Sequence, residues 1–108
     1  MGIYRLYTGD DGQSHIEDLD LESHEYLTSP IAAASIRFMT WPANQFIDWH
    51  PAPRRQYVIL LSGGLEIGLG DGTIRRFGPG DARLVEDTIG QGHTTRVVGD
   101  DPTVTAIV

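Results

Sequence analysis

The sequence predicts an all-β domain, a sandwich or barrel built of short strands. Its 108 residues include 13 Gly and 6 Pro, more chain-breaking residues than a helical bundle tolerates. Its apolar share of 40% is enough for one hydrophobic core, and the length is that of one domain. From residue 45 onward, short alternating or apolar runs are separated by Gly, Pro and Asp turns. Sheets of that kind must pack face to face or close on themselves to hide their apolar sides and edges.

Taken in order, Ile3–Thr8 is the first strand candidate, stopped by the turn residues Gly9-Asp10-Asp11-Gly12. Residues 9–30 read as an irregular acidic segment. Ser29 as an N-cap and Pro30 at a first helical position admit a helical turn over Ile31–Ala34. The three alanines that follow Ile31 leave that reading open. Ser35–Trp41 alternates Ile36, Phe38 and Thr40 against Ser35, Arg37 and Met39, the period of a half-buried strand, and Pro42 ends it. Further strands are expected at 45–50, 55–61, 64–69, 73–77, 81–86, 94–98 and 103–107. Ser62-Gly63-Gly64 and Gly70-Asp71-Gly72 supply hairpin turns, with Leu65, Ile67 and Leu69 on one face between them. Gly78-Pro79-Gly80-Asp81 marks the next reversal.

Composition excludes several chemistries. With no cysteine there is no disulfide framework, thiolate metal site, iron–sulfur cluster or cysteine nucleophile. All eight basic residues are Arg, so no lysine can form a Schiff base or carry pyridoxal phosphate. The net charge of −7 repels a phosphate backbone, and nucleic acid is not an expected partner. Most of the net negative charge lies in residues 1–36, where Asp10, Asp11, Glu17, Asp18, Asp20, Glu22 and Glu25 face a single Arg. The longest apolar run, Tyr57–Leu61, is far shorter than the roughly 20 residues that cross a bilayer. A cytoplasmic protein without a membrane span is expected. The nucleophile elbow, Walker loop, dinucleotide fingerprint and His-Glu-x-x-His are all lacking, and Gly68-x-Gly70-x-Gly72 is a hairpin rather than a phosphate cradle.

Two stretches carry a motif. His50-Pro-Ala52-Pro-Arg-Arg-Gln56-Tyr-Val-Ile-Leu-Leu-Ser-Gly63 resembles the first motif of the cupin superfamily, His-x-His, three or four residues, Glu, six residues, Gly. His50 matches the first histidine and Gly63 the glycine, whereas Ala52 stands for the second histidine and Gln56 for the glutamate. Gly80-Asp-Ala-Arg-Leu-Val-Glu86-Asp87-Thr-Ile-Gly-Gln-Gly-His93 is similar to the second motif with about two extra residues, Glu86 replacing its proline and His93 as its histidine. The resemblance spans about residues 45–98. It implies one cupin-type jelly-roll β-barrel over residues 1–108, with a site in the barrel mouth and a homodimer formed through sheet edges.

In that family the motif residues hold a divalent iron, manganese, nickel or zinc ion with open positions for chemistry. Residues two apart on a strand point the same way, so His50, Ala52 and Gln56 share a side, and His93 approaches from another strand. His50, Gln56 and His93 are therefore the candidate metal ligands. Losing one imidazole and exchanging a carboxylate for a neutral amide weakens the set by orders of magnitude. Either Glu86 or Asp87 could restore a carboxylate, but parity lets only one of the two face inward. The same residues, with Arg54 and Tyr57, form the candidate ligand pocket. Arg54 and Arg55 sit where a guanidinium could clamp a carboxylate. Trp41, Trp49, Phe46 and Tyr57 are expected at the core or rim, and His15 and His24 have no assigned role.

The functional expectation is a cupin that binds a small polar or anionic molecule at a divergent, metal-free site. The alternative is a metal-dependent isomerase, lyase or dioxygenase with His50 and His93 as ligands. No catalytic residue is assigned.

Overall fold

A computed structural model describes residues 2–108. The described strands are β1 (Ile3–Thr8), β2 (Ser14–Asp18), β3 (Arg37–Trp41), β4 (Phe46–His50), β5 (Gln56–Ser62), β6 (Leu65–Gly68), β7 (Ile74–Phe77), β8 (Ala82–Val85), β9 (His93–Val97) and β10 (Thr103–Ile107). They form two sheets, one of six strands in the order β2-β1-β8-β5-β10-β3 and one of four in the order β4-β9-β6-β7. Only β1 and β8 run parallel; the other described pairs are antiparallel. The fold is all-β, as the short strands and Gly turns predict, and it is the jelly roll that the motif resemblance implies.

Alternation along the strands fills the space between the sheets. Leu6, Val58, Leu60, Val85 and Ile107 come from the larger sheet and Leu65, Ile67, Phe77 and Val97 from the smaller, all buried. Each large side chain so buried contributes about 1.5–3 kcal/mol. The turn at Ser62–Gly64 brings the chain onto β10. A Cβ on Gly63, whose φ is +83°, would lie 2.3 Å from Thr103 Oγ1. That hydroxyl instead accepts from the Gly64 amide at 2.9 Å and donates to the Gly64 carbonyl at 3.0 Å.

Three sequence expectations are corrected or resolved. The segment 9–30 is not irregular throughout, since it contains β2, paired with β1 in the register Leu6↔Ile16 and Thr8↔Ser14. Ile16 is the one large apolar residue of β2, so alternation gave no signal, and the turn across Gly9–Gly12 sets the pairing instead. The helical turn that Ser29 and Pro30 admitted over Ile31–Ala34 does not form; a 3-10 turn occupies Glu25–Thr28. In β3 the alternation is present, with Met39 and Trp41 turned toward the core and Phe38 left 69% exposed.

Candidate functional site

A cavity of about 210 Å³ opens between the two sheets. His50 from β4, Gln56 and Val58 from β5, Arg83 from β8, His93 and Thr95 from β9, and Met39 and Trp41 from β3 are among its lining residues. It thus draws together the three residues that the motifs single out.

Local backbone geometry explains the convergence. β4 and β9 pair at Ile47↔Thr95 and again at His50↔His93, with a register shift between them. Three steps on β4 therefore oppose two on β9. Such a bulge reverses the parity of the residues beyond it, so His50 turns to the same side as Ile47. The His50 and His93 rings become cross-strand neighbours, their centroids 4.5 Å apart. Gly92, with φ +79°, enables the approach, because a Cβ there would lie 2.0 Å from the His50 carbonyl oxygen. Ala52, at the place of the absent second histidine, is buried and also lines the cavity.

Both imidazoles are held by their Nδ1 atoms. His50 Nδ1 lies 2.7 Å from the Asp48 carbonyl oxygen, and His93 Nδ1 lies 2.5 Å from Asp87 Oδ2. Carbonyl and carboxylate oxygens accept, so each Nδ1 carries the proton and each Nε2 keeps its lone pair. The same Asp87 oxygen accepts from Ser14 Oγ at 2.6 Å. Ser14, Asp87 and His93 are all buried, so a hydrogen-bonded chain links β2 to the cavity. Burial holds the His93 imidazole below its ordinary 6.5 despite the opposing pull of Asp87, with Arg83 and His50 lowering it further.

Arg83 lies deepest. It is 3% exposed, and its Nε and Nη1 are buried without a hydrogen-bond partner. The Phe77 ring stands 5.2 Å from its guanidinium carbon. Desolvation brings it down to about 10, against the attraction of Asp87, so it remains a cation at neutral pH. Asp87 Oδ1 is also buried without a partner.

Of the two carboxylates flagged beside the second motif, Asp87 is the inward one and supports His93 through its ring. Glu86 lies outside the cavity, bound by Arg5 Nε at 2.5 Å and Arg55 Nε at 2.7 Å. Burial alone would raise its carboxyl; the two guanidiniums overcome that and hold it below its ordinary value.

Arg54 and Tyr57 do not join the histidines. They line a second cavity of about 500 Å³ on the outer face of the larger sheet, with Ile59, Leu84 and residues 31–35 of the loop before β3. Parity is the reason for Tyr57, since Gln56 and Val58 face inward and Tyr57 and Ile59 outward, whereas Arg54 lies in the turn before β5 and opens onto the outer face. Gln56, at the start of β5, borders both spaces. Of the aromatic residues, Trp41 lines the inner cavity, its indole N–H donating to Thr105 Oγ1 at 3.0 Å. Phe46 and Trp49 are exposed. His15 lies beside Asp11 on the surface, and His24 bonds the Asp20 carbonyl.

The donor set fits a resident cation poorly. Two Nε2 atoms and the Gln56 amide oxygen are its candidates, and among the described residues no group of three His, Cys, Asp or Glu converges. The cation already lining the same cavity, Arg83, repels a second positive charge. Sequence reading missed Arg83 and Ser14. Arg83 stands one step from Ala82 and Leu84 and two from Val85, so a charged residue shared a face with an apolar one, a signal that was present in the residues.

No protein-family profile matches the chain, and no curated protein is similar to it. Solved structures do resemble it. An uncharacterised conserved protein with a double-stranded β-helix domain from Klebsiella pneumoniae is 20% identical, with a TM-score of 0.51 over 67% of this chain and 62% of that one. A conserved protein of unknown function from Streptococcus pyogenes is 25% identical, with a TM-score of 0.50 over 68% and 61%. The cumin domain of Drosophila melanogaster CENP-C is 12% identical, with a TM-score of 0.51 over 95% and 70%. The chain thus spans about three fifths of the two bacterial proteins. Sheet order, motif glycines and these likenesses together give the conclusion that the chain has the cupin-type, double-stranded β-helix fold.

Proposed function

We propose that the inner cavity binds a small polar molecule without a resident metal ion. The observation that supports this reading most is the meeting of His50, Gln56, His93 and Arg83 around one space between the sheets. Two imidazoles fixed through Nδ1 offer Nε2 acceptors, Gln56 offers both a donor and an acceptor, and Arg83 offers donors alone. Met39, Trp41 and Val58 supply apolar walls. Such a mixture of apolar surface and few convergent polar groups is typical of small-molecule sites. Buried polar groups that lack partners gain from a ligand that supplies them.

The test combines elemental analysis of protein purified without chelators with thermal shift against a panel of small polar molecules, run with and without EDTA. The expected result is sub-stoichiometric metal and a ligand-induced rise in melting temperature that EDTA leaves unchanged and His93→Ala or Gln56→Ala removes. Stoichiometric iron, manganese, nickel or zinc whose removal abolishes the shift would overturn this reading in favour of a metal-dependent enzyme.

A further inference from the structure

Resting on that reading, we infer that the ligand is a small organic monocarboxylate whose anionic head is received by the Arg83 guanidinium. The argument begins with a contrast among the arginines. Arg5, Arg55, Arg75 and Arg76, all at or near the surface, each lie against a carboxylate, and Arg96 lies over the Phe46 ring. Water would have solvated every one of them. Arg83, which water reaches least, has neither a hydrogen bond nor an ion pair among the described residues, and two of its nitrogens are fully buried. A buried guanidinium is costly unless paired and hydrogen-bonded. The Phe77 face attracts its charge but accepts nothing along the N–H directions.

Asp87 does not fill the vacancy. Its charge acts on Arg83 through space, but Oδ2 is occupied by Ser14 and His93, and neither oxygen comes within 4 Å of the guanidinium. Position along the chain explains why. Arg83 pairs with Val58 and faces into the cavity, whereas Asp87 lies beyond the end of β8, tied to β2 and β9. The unused donors therefore address the space that the histidines and Gln56 also line.

The chemistry of the space selects the anion. Arg83 is the buried guanidinium of the cavity, and the other arginine on its lining, Arg37, is exposed, so the desolvated positive charge matches one negative charge rather than a doubly charged phosphate. The apolar walls of Met39, Trp41, Val58 and Ile107 suit a carbon skeleton rather than an inorganic ion. At about 210 Å³, the cavity is smaller than the roughly 300–1,000 Å³ of sites for drug-sized ligands. In a chain of net charge −7, selectivity for an anion must come from such a local, desolvated cation.

The test is a titration with short monocarboxylates of three to six carbons, and with their primary amides, followed by NMR of backbone and Arg side-chain N–H groups. Carboxylates should shift the Arg83 Nε–H resonance and the β8 and β9 amides, and the amides of the same acids should bind at least tenfold more weakly. Arg83→Met should fold, because an unpaired buried charge gives way to an apolar side chain of similar length, and should lose carboxylate binding at least tenfold. Arg83→Gln is the second variant should Met repack the core. Amides that bind as well as acids, with Arg83→Met indifferent, would overturn the carboxylate inference and leave the small-molecule reading standing. Shifts confined to surface arginines, or no shift from either series, would overturn it as well. Equal destabilisation by Arg83→Met and Asp87→Asn without any carboxylate binding would identify a water-bridged structural pair instead.

Discussion

The two faces of the β5–β8 pair are built from alternate residues of the same two strands, yet they differ in kind. Inward, Gln56, Val58, Arg83 and Val85 meet two histidines in a small space between sheets; outward, Tyr57, Ile59, Ala82 and Leu84 line a larger groove under the loop before β3. On the inner side Arg83, Asp87 and His93 are buried and partly unpaired. Polar groups nearest the outer groove, Arg54 and Arg55, stand in solvent, and Arg55 already bonds Glu86. The lesson is that a pocket's size says less about its chemistry than the desolvated polar groups within it do. Changes on the inner face should consequently move stability and binding together, and changes at the outer groove should not reach the histidines.

The largest effect is expected from Asp87→Ala. It removes the acceptor shared by Ser14 and His93 and the nearest opposite charge to Arg83. Breaking such a buried arrangement costs about 3–5 kcal/mol, to be read by urea denaturation. A loss below about 1 kcal/mol would mean that the inner network is not coupled as the distances indicate. Next in size is Gly92→Ala, whose Cβ would collide with the His50 carbonyl in a left-handed backbone conformation. At least about 2 kcal/mol should be lost, and the His50–His93 ring contact should disappear from NOE spectra.

The legibility of this contrast in the sequence depends on where each signal arises. Strand periods and Gly turns located nine of the strands, because burial between two sheets imposes alternation on the sequence. β2 escaped because one apolar residue, Ile16, cannot show a period, and its pairing depends on β1. His50, Gln56 and His93 were found through motif spacing and do meet. The bulge that aims His50 inward is a property of the β4–β9 register, which no run of residues within β4 announces. Arg54 and Tyr57 were grouped with Gln56 by adjacency in sequence; strand parity turned Tyr57 outward, and Arg54 sits in the turn before β5 on the outer side. Arg83 left a mark, a charge on the same face as Val85, but on a central strand both faces carry apolar residues, so alternation did not say that this face meets the cavity.

A smaller effect, and one confined to the inner face, is expected from acidification. Burial holds the His93 imidazole below 6.5 in the folded protein, while in the unfolded chain it titrates near that value. Between the two, the unfolded chain binds more protons, so stability falls as pH drops below about 6.5 and levels off below the folded value. Melting temperature measured from pH 7.5 to 5 should show this decline, and His93→Gln should flatten it. An unchanged profile in that variant would assign the decline to other groups.

The smallest effects belong to the outer groove. Arg54 is exposed and has no carboxylate partner within ion-pair distance among the described residues, so Arg54→Ala should stay within about 0.5 kcal/mol of the parent. Tyr57 packs its ring at the groove, where burial raises its hydroxyl above the ordinary 10. Tyr57→Phe therefore removes a polar tip while keeping the apolar body, again with little cost. Neither substitution should alter carboxylate affinity or the chemical shifts of His50 and His93, since β5 turns Tyr57 away from those rings and Arg54, in the turn before β5, lines the outer groove. A tenfold loss of affinity in either variant would show that the two faces communicate through Gln56, the one residue of β5 that touches both spaces, and the separation argued from parity would then fail at that strand end.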